Sequence, residues 1–338
     1  MELVSSVFDR MDPPGQARPM LTKLNPTKLN PTKPVLALAL AAGLLAGCSS
    51  TTTSPAASIS STAVSRGATP TASPTTTAAF AAIESQFHAN LGLYAIDTGN
   101  GRTVAYNPDS RFAFCSTLKA FAASVLLQRD TDQQLNQVVR YTKADLLSYA
   151  PITEQHVSTG MTLNAIMAAA IEYSDNTAAN LMLRQIGGPS ALQAALRAEG
   201  DSTTNVDRTE PTVNTATPGD TRDTTTPRAW VTDLGTFVLG SALTPTRRAQ
   251  LVAWFQANTT GGPYIRAAVP SGWKVGDKTG NGDYGARNDI AVVWPPDNAA
   301  PIVIAVLTNR GDKENATSND ALIADASKVA LQALTGQA

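Results

Sequence analysis

Four side chains capable of covalent chemistry stand within five residues in the segment FAFCSTLKAF, residues 112–121: Cys115, Ser116, Thr117 and Lys119. A serine becomes a nucleophile only when a base takes its proton, and the usual base is histidine. The chain has two histidines, His88 and His156. His88 adjoins a low-complexity stretch, His156 lies in the polar run PITEQHVSTG, and no Gly-x-Ser-x-Gly elbow is present. Both are read as structural, so the base is sought elsewhere. If a helix starts near Ser116, Lys119 falls one turn on and on nearly the same face, within reach of the hydroxyl. A lysine can activate that serine when burial or a neighbouring cation lowers its pKa.

A lone Ser-x-x-Lys is weak evidence, and the chain carries a second one, Ser271 to Lys274. There the lysine opens an expected strand, where residues three apart face opposite sides and cannot cooperate. Two more motifs follow Ser116 in order: Ser174-Asp175-Asn176 at a break between helices and Lys278-Thr279-Gly280 at the end of a strand. Separately, one is a helix cap and the other a turn approach. Together they offer a hydroxyl to relay a proton to a leaving nitrogen, amides to position an acyl side chain, and a cation for a carboxylate. Between them runs DRTEPTVNTATPGDTRDTTTP, residues 207–227, a long loop inside a helical block. Loops of that kind are usually functional. Glu210 can act there as a general base on water, the Asn214 amide can hold that water, and Arg208 and Asp223 at opposite ends can pair to clamp the loop.

The ordered set S-x-x-K, S-D-N and K-T-G resembles the class A serine β-lactamases, and the likeness covers residues 78–337. The resemblance implies that Ser116 is the nucleophile, Lys119 prepares it, and Ser174 passes a proton to the β-lactam nitrogen. The backbone N–H groups of Ser116 and Asn281 would form the oxyanion hole. Asn176 would orient the acyl amide, and Glu210 with Asn214 would direct the deacylating water from the family's omega loop, where the Glu210-Pro211 bond is often cis. Lys278, Thr279, Gly280 and Arg287 would bind the substrate carboxylate, and Tyr149 would wall the entrance. Whether Lys119 or Glu210 is the acylation base is left open by the family.

The expected reaction is hydrolysis of penicillins and cephalosporins, giving resistance to them. Relatives with strong carbapenem activity pair a cysteine beside the nucleophile with another just past the K-T-G turn. Here Gly282 stands at that place, so Cys115 has no partner and carbapenem hydrolysis is not expected. Cys115 is read instead as a small buried filler. The segment GNGDYGARNDIAVVW is similar to enzymes of high-GC Gram-positive bacteria. One alternative is a penicillin-binding carboxypeptidase or transpeptidase, which shares the three motifs but deacylates slowly; the Glu210 loop argues against it. A non-catalytic cell-wall-binding domain is the other, disfavoured by intact Ser116, Lys119 and Glu210. No cofactor or metal is implied, since a zinc hydrolase needs a richer set of His, Cys and Asp ligands.

These residues need a scaffold. A helix from about residue 78 and a hairpin around Gly99-Asn100-Gly101 precede a stretch from Ser116 to Asn258 that is almost wholly helical in pattern. Three strands, WKVGDKTG, NDIAVVWPP and PIVIAVLTN, and a closing helix follow. The expected fold class is α/β (α+β): an antiparallel sheet flanked by the two terminal helices, with an all-α subdomain inserted. The α/β part takes residues 78–110 and 259–338, and the all-α part residues 111–258. With 338 residues, 43% of them hydrophobic, the chain can bury a large core. A net charge of −1 gives no reason to expect nucleic acid as a partner. A monomer acting on a small molecule is the expectation.

Ahead of this domain, Lys23, Lys28 and Lys33 precede an apolar run over residues 35–46 that ends in LAGC. The run is too short to span a bilayer and reads as a lipoprotein-type export signal, residues 1–47, cleaved before a lipidated Cys48. Acidic Glu2, Asp9 and Asp12 do not suit such a leader and point to a start at Met20. Residues 48–77, rich in Ser, Thr and Pro, form a tether that cannot repay the entropy of folding. The protein is therefore expected outside the cell, anchored through Cys48 to the outer face of the membrane, or secreted or periplasmic. With Cys48 so used, no internal disulfide is expected.

Overall fold

The computed structural model describes residues 73–336; the expected signal segment, Cys48 and nearly all of the tether lie outside the described residues. The chain runs α1 (Pro74–Phe87), β1 (Asn90–Asp97), β2 (Thr103–Tyr106), β3 (Phe112–Ala113), α2 (Leu118–Arg129), α3 (Asp132–Leu135), β4 (Val138–Val139), β5 (Met161–Thr162), α4 (Leu163–Glu172), α5 (Asn176–Ile186) and α6 (Pro189–Ala198). It continues through β6 (Thr224–Thr225), α7 (Pro227–Val238), α8 (Pro245–Gln256), α9 (Ile265–Ala268), β7 (Lys274–Asn281), β8 (Arg287–Trp294), β9 (Ile302–Asn309) and α10 (Asp320–Thr335).

The first helix starts at Pro74 and not at residue 78, inside the expected tether. Its threonines read as low complexity, but Ser73 accepts the Thr76 N–H at 3.2 Å and Pro74 holds the first helical position. A serine cap followed by proline is enough to start a helix that buries Phe80, Ile83 and Phe87.

Five strands form one antiparallel sheet in the order β2-β1-β9-β8-β7. The period-2 geometry of a strand sends alternate residues to opposite cores. Ile290, Val292, Val303, Ala305 and Leu307 join the core shared with α2, α4, α5 and α7. Ala291, Val293, Ile302, Ile304 and Val306 join the core built with α1 and α10. Both faces are covered, which is why β8 and β9 read as unbroken apolar runs.

The inserted part departs from an all-α block in two ways. It contains two small antiparallel pairs, β3 with β6 and β4 with β5. Helix α7, assigned by sequence to that block, packs on the sheet through contacts with β1, β8 and β9. Its amphipathic pattern shows which face is apolar but not what that face meets. Trp230 of α7 packs against Phe121 of α2, ring centroids 4.1 Å apart and planes tilted by 32°, and its indole N–H donates to Thr117 Oγ1 at 2.8 Å. This bonds α7 directly to the turn that carries Ser116.

The loop of residues 207–227 is closed by the expected pair. Arg208 Nε donates to Asp223 Oδ2 at 2.5 Å, and Asp223 Oδ1 accepts the backbone N–H groups of Asp207 and Arg208, each at 2.9 Å. A second carboxylate device ties the approach to this loop to the helix that follows it. Asp201 Oδ1 accepts the N–H groups of Thr203 and Thr204 at 2.6 and 3.0 Å. Its other side-chain oxygen and Asp233 Oδ2 of α7 are both buried without a conventional donor, and the two side chains hydrogen-bond to each other. Burial, then the negative charge of Asp201, pushes the Asp233 carboxyl up to about 9, so the contact is held by a proton.

Candidate active site

Ser116 sits not in the α-helix itself but in a 3-10 turn, Cys115–Thr117, that runs into α2. The chain enters this turn through Cys115 at φ 51, and Thr117 closes it by donating to the Phe114 carbonyl at 2.7 Å. Lys119 therefore falls in the first turn of α2, as the spacing predicts. The strand carrying Lys278-Thr279-Gly280 lies tightly against this turn. A Cβ on Gly280 would come within 2.8 Å of the Phe114 carbonyl oxygen and 3.2 Å of Thr117 N, so only glycine lets β7 approach. Ser116 and Asn281 thereby line one cleft of about 220 Å³.

One carboxylate oxygen joins Ser116 to Lys119. Ser116 Oγ donates to Glu210 Oε1 at 3.1 Å, and Lys119 Nζ lies 3.0 Å from the same atom. Lys119 also donates to the Ser174 carbonyl at 2.7 Å, to Ser174 Oγ at 3.3 Å and to Asn176 Oδ1 at 2.6 Å. Burial pushes the Lys119 amine down, opposed by the adjacent Glu210 carboxylate. Lys278 reaches Ser174 Oγ from the other side at 3.0 Å. Burial, then the positive charge of Lys119, lowers Lys278 to about 7. Ser174 Oγ thus accepts from both lysine amines, which leaves its own proton free to be given.

Each sequence-predicted element has a local cause. Ser174 adopts φ 57 at the break after α4, and Asp175 caps α5 while accepting Thr153 N–H at 2.9 Å and Ile152 N–H at 3.1 Å. This fixes Asn176 at the first turn of α5. Asn214 Nδ2 donates to Glu210 Oε2 at 2.5 Å, and the Glu210-Pro211 bond is cis. Tyr149, 49% exposed, stands at the mouth, and its carbonyl accepts the Asn176 N–H at 2.9 Å. Thr279 and Asn214 line the cleft, whereas Lys278 lies buried beneath it. Arg287 does not line the cleft; its guanidinium lies 5.9 Å from the centroid of the Tyr264 ring and its Nε 3.0 Å from Asp320 Oδ1. It is joined to the lining through Tyr264, whose hydroxyl donates to Asn281 Oδ1 at 3.1 Å. His88 caps the end of α1, and neither histidine lines the cleft.

The sequence model of the Beta-lactamase enzyme family matches residues 75–334. The chain belongs to that family. A β-lactamase of Amycolatopsis lactamdurans is 57% identical over 255 residues, covering 75% of this chain and 84% of the relative. The carbapenem-hydrolyzing β-lactamase KPC of Klebsiella oxytoca is 48% identical over 258 residues, covering 75% and 87%. The crystal structure of the class A β-lactamase from Clostridium kluyveri DSM 555 superposes with a TM-score of 0.75 at 48% identity, covering 77% of this chain and 98% of that one. The chain is a class A serine β-lactamase, an enzyme that hydrolyses β-lactams and gives resistance to them.

Several parts of this β-lactamase's site carry no motif. Asn180 of α5 holds both backbone groups of Glu210: its Nδ2 donates to the Glu210 carbonyl and its Oδ1 accepts the Glu210 N–H, each at 2.9 Å. Its one sequence signal is its i+4 spacing from Asn176, which puts the two amides on one helix face. Thr260, paired with Thr279 at 2.6 Å between hydroxyl oxygens, also lines the cleft and lies in an unremarked loop. Cys115 is free and buried, and burial pushes its thiol well up, which disfavours the reactive thiolate. A Cβ at Gly282 would lie 2.7 Å from Cys115 Sγ and 2.6 Å from the Asn214 carbonyl, so residues 115 and 282 do face each other. Among the described residues there is no cluster of His, Cys, Asp and Glu able to hold a metal.

Proposed function

We propose that this β-lactamase opens the ring of penicillins and cephalosporins by acylation of Ser116 and hydrolyses the resulting ester with water activated by Glu210. The observation that carries this reading is the single Glu210 oxygen shared by Ser116 Oγ at 3.1 Å and Lys119 Nζ at 3.0 Å. A base so placed can take the serine proton directly or through Lys119, whose lowered pKa makes its neutral form accessible. The Ser116 Oγ then bonds to the lactam carbonyl carbon, and the charge that develops on its oxygen is met by the N–H groups of Ser116 and Asn281. The C–N bond breaks as Ser174 gives its proton to the nitrogen, and Lys119 or Lys278, each in contact with Ser174 Oγ, supplies the replacement. Water, oriented by Asn214 and deprotonated by Glu210, cleaves the ester.

Binding follows from charge and shape. Lys278, Thr279 and the backbone at Gly280 form the edge that takes the substrate carboxylate, with Arg287 adding positive potential. Asn176 holds the acyl amide and Tyr149 walls the mouth. Arg208 and Asp223 keep the Glu210 loop in shape. The decisive experiment is Glu210→Gln with benzylpenicillin: kcat should fall by about 10²–10⁴-fold, the usual worth of a general base, and a covalent adduct on Ser116 should accumulate in intact-protein mass spectra. Near-native turnover by that variant refutes the mechanism.

The same reading places the enzyme outside the cell, exported through residues 1–47 and tethered by lipid at Cys48, on the sequence argument given above. It acts as a monomer. In support, the exposed large hydrophobic residues among those described are Val138, Tyr149 and Tyr173, too few for an obligate interface.

A further inference from the structure

The edge of the cleft has a hydrogen-bond direction that can be read from a single backbone group. The Thr260 N–H donates to Asn258 Oδ1 at 3.0 Å. A backbone N–H can only donate, so the amide oxygen of Asn258 faces Thr260 and its nitrogen faces Asp277, donating to Oδ2 at 2.8 Å. Arg266 Nε anchors the far end of this chain, donating to Asp277 Oδ1 at 2.6 Å. Thr260 Oγ1 lies 2.8 Å from the same Asn258 Oδ1, an atom that can only accept, so the one hydroxyl proton of Thr260 is spent there. In the 2.6 Å pair between Thr260 and Thr279, the donor must then be Thr279. The run Thr279 → Thr260 → Asn258 → Asp277 has one sense. In the free enzyme Thr279 therefore turns its oxygen lone pairs, and not its proton, toward the cleft.

We propose that Thr260 is a positioning residue that withholds the Thr279 proton, so that a substrate carboxylate arriving at β7 must first break the Thr279–Thr260 hydrogen bond. This rests on the reading that the carboxylate binds at this edge. An anion draws the proton more strongly than a neutral hydroxyl does, so the exchange proceeds, but one hydrogen bond is lost each time substrate binds. Removing the Thr260 hydroxyl while keeping its shape releases Thr279 in advance.

The test is kcat/KM for benzylpenicillin and for its methyl ester with the native enzyme, Thr260→Val and Thr260→Ser. For the free acid, kcat/KM should rise about three- to tenfold in Thr260→Val, the size of one net hydrogen bond, with kcat held within about twofold. Thr260→Ser, which keeps the hydroxyl, should return the native value. A gain on deleting a hydroxyl is not what loss of a merely structural contact produces. An unchanged or lower kcat/KM in Thr260→Val overturns the inference, and Thr260→Ala serves in its place should the valine variant fail to fold. A native enzyme indifferent to esterification overturns the carboxylate reading of the edge itself. Native preference for the acid with no gain in Thr260→Val overturns the withheld proton alone.

Discussion

Replacing Asp233 by asparagine should stabilise the protein, and by more as pH rises. Asp233 is 2% exposed and shares its proton with Asp201, while Arg197 and Glu199 are the other charges that act on it. Its carboxyl rises from 3.8 to about 9 on folding, chiefly through burial and next through the charge of Asp201. A group raised in this way contributes stability that is complete below the unfolded value and drains away as pH climbs toward the folded one. Between pH 3.8 and about 9 the unfolded chain releases this proton while the folded one keeps it. The slope has a ceiling of about 1.4 kcal/mol per pH unit, or about 6 kcal/mol accumulated by pH 8. Relaxation around an ionised pair lowers that figure, and we expect a gain of about 2 kcal/mol at pH 8 from Asp233→Asn, near 4–8 °C in a domain of this size. Asparagine preserves the contact because its Nδ2 can donate to Asp201. Thermal unfolding of both proteins at pH 5, 7 and 8.5 measures the effect. The melting temperatures should converge at low pH and separate above it. A constant gap, or a less stable variant at pH 8.5, refutes the reasoning.

Lys278, lowered to about 7, loses its charge as pH rises through that value, so kcat/KM for a carboxylate substrate should fall on the alkaline side near pH 7. Lys278→Arg, which does not titrate there, should carry that limb beyond about pH 9 in a pH–rate profile. Gly282→Ala brings a Cβ to 2.6 Å from the Asn214 carbonyl, so the Glu210 loop must shift and kcat should drop at least about tenfold in steady-state assays. Adding Cys115→Ala to it relieves the contact with sulfur but not the contact with the Asn214 carbonyl, and should not restore the rate.

The chemistry was legible because its residues sit where backbone geometry leaves few choices. Asp175 between two helices is a cap whatever else it does, and Gly280 is the residue a strand needs to lie against another turn. Spacing put Lys119 one turn from Ser116, and the loop composition of residues 207–227 marked it as irregular. The sequence by itself determined the order of motifs, the loop with Glu210, and the strands, whose apolar runs follow from a sheet covered on both faces. Tertiary structure alone decided the rest. That Glu210 Oε1 meets both Ser116 and Lys119 depends on a separation of 94 residues along the chain from Ser116. Thr260 and Asp233 carry no local signature, and Asn180 has only its spacing from Asn176, because an amide, a hydroxyl or a carboxyl acquires direction only from partners that folding brings to it. Helix α7 shows the same limit: its apolar face was visible in the sequence, but whether that face meets other helices or the sheet is set by the packing of the whole domain.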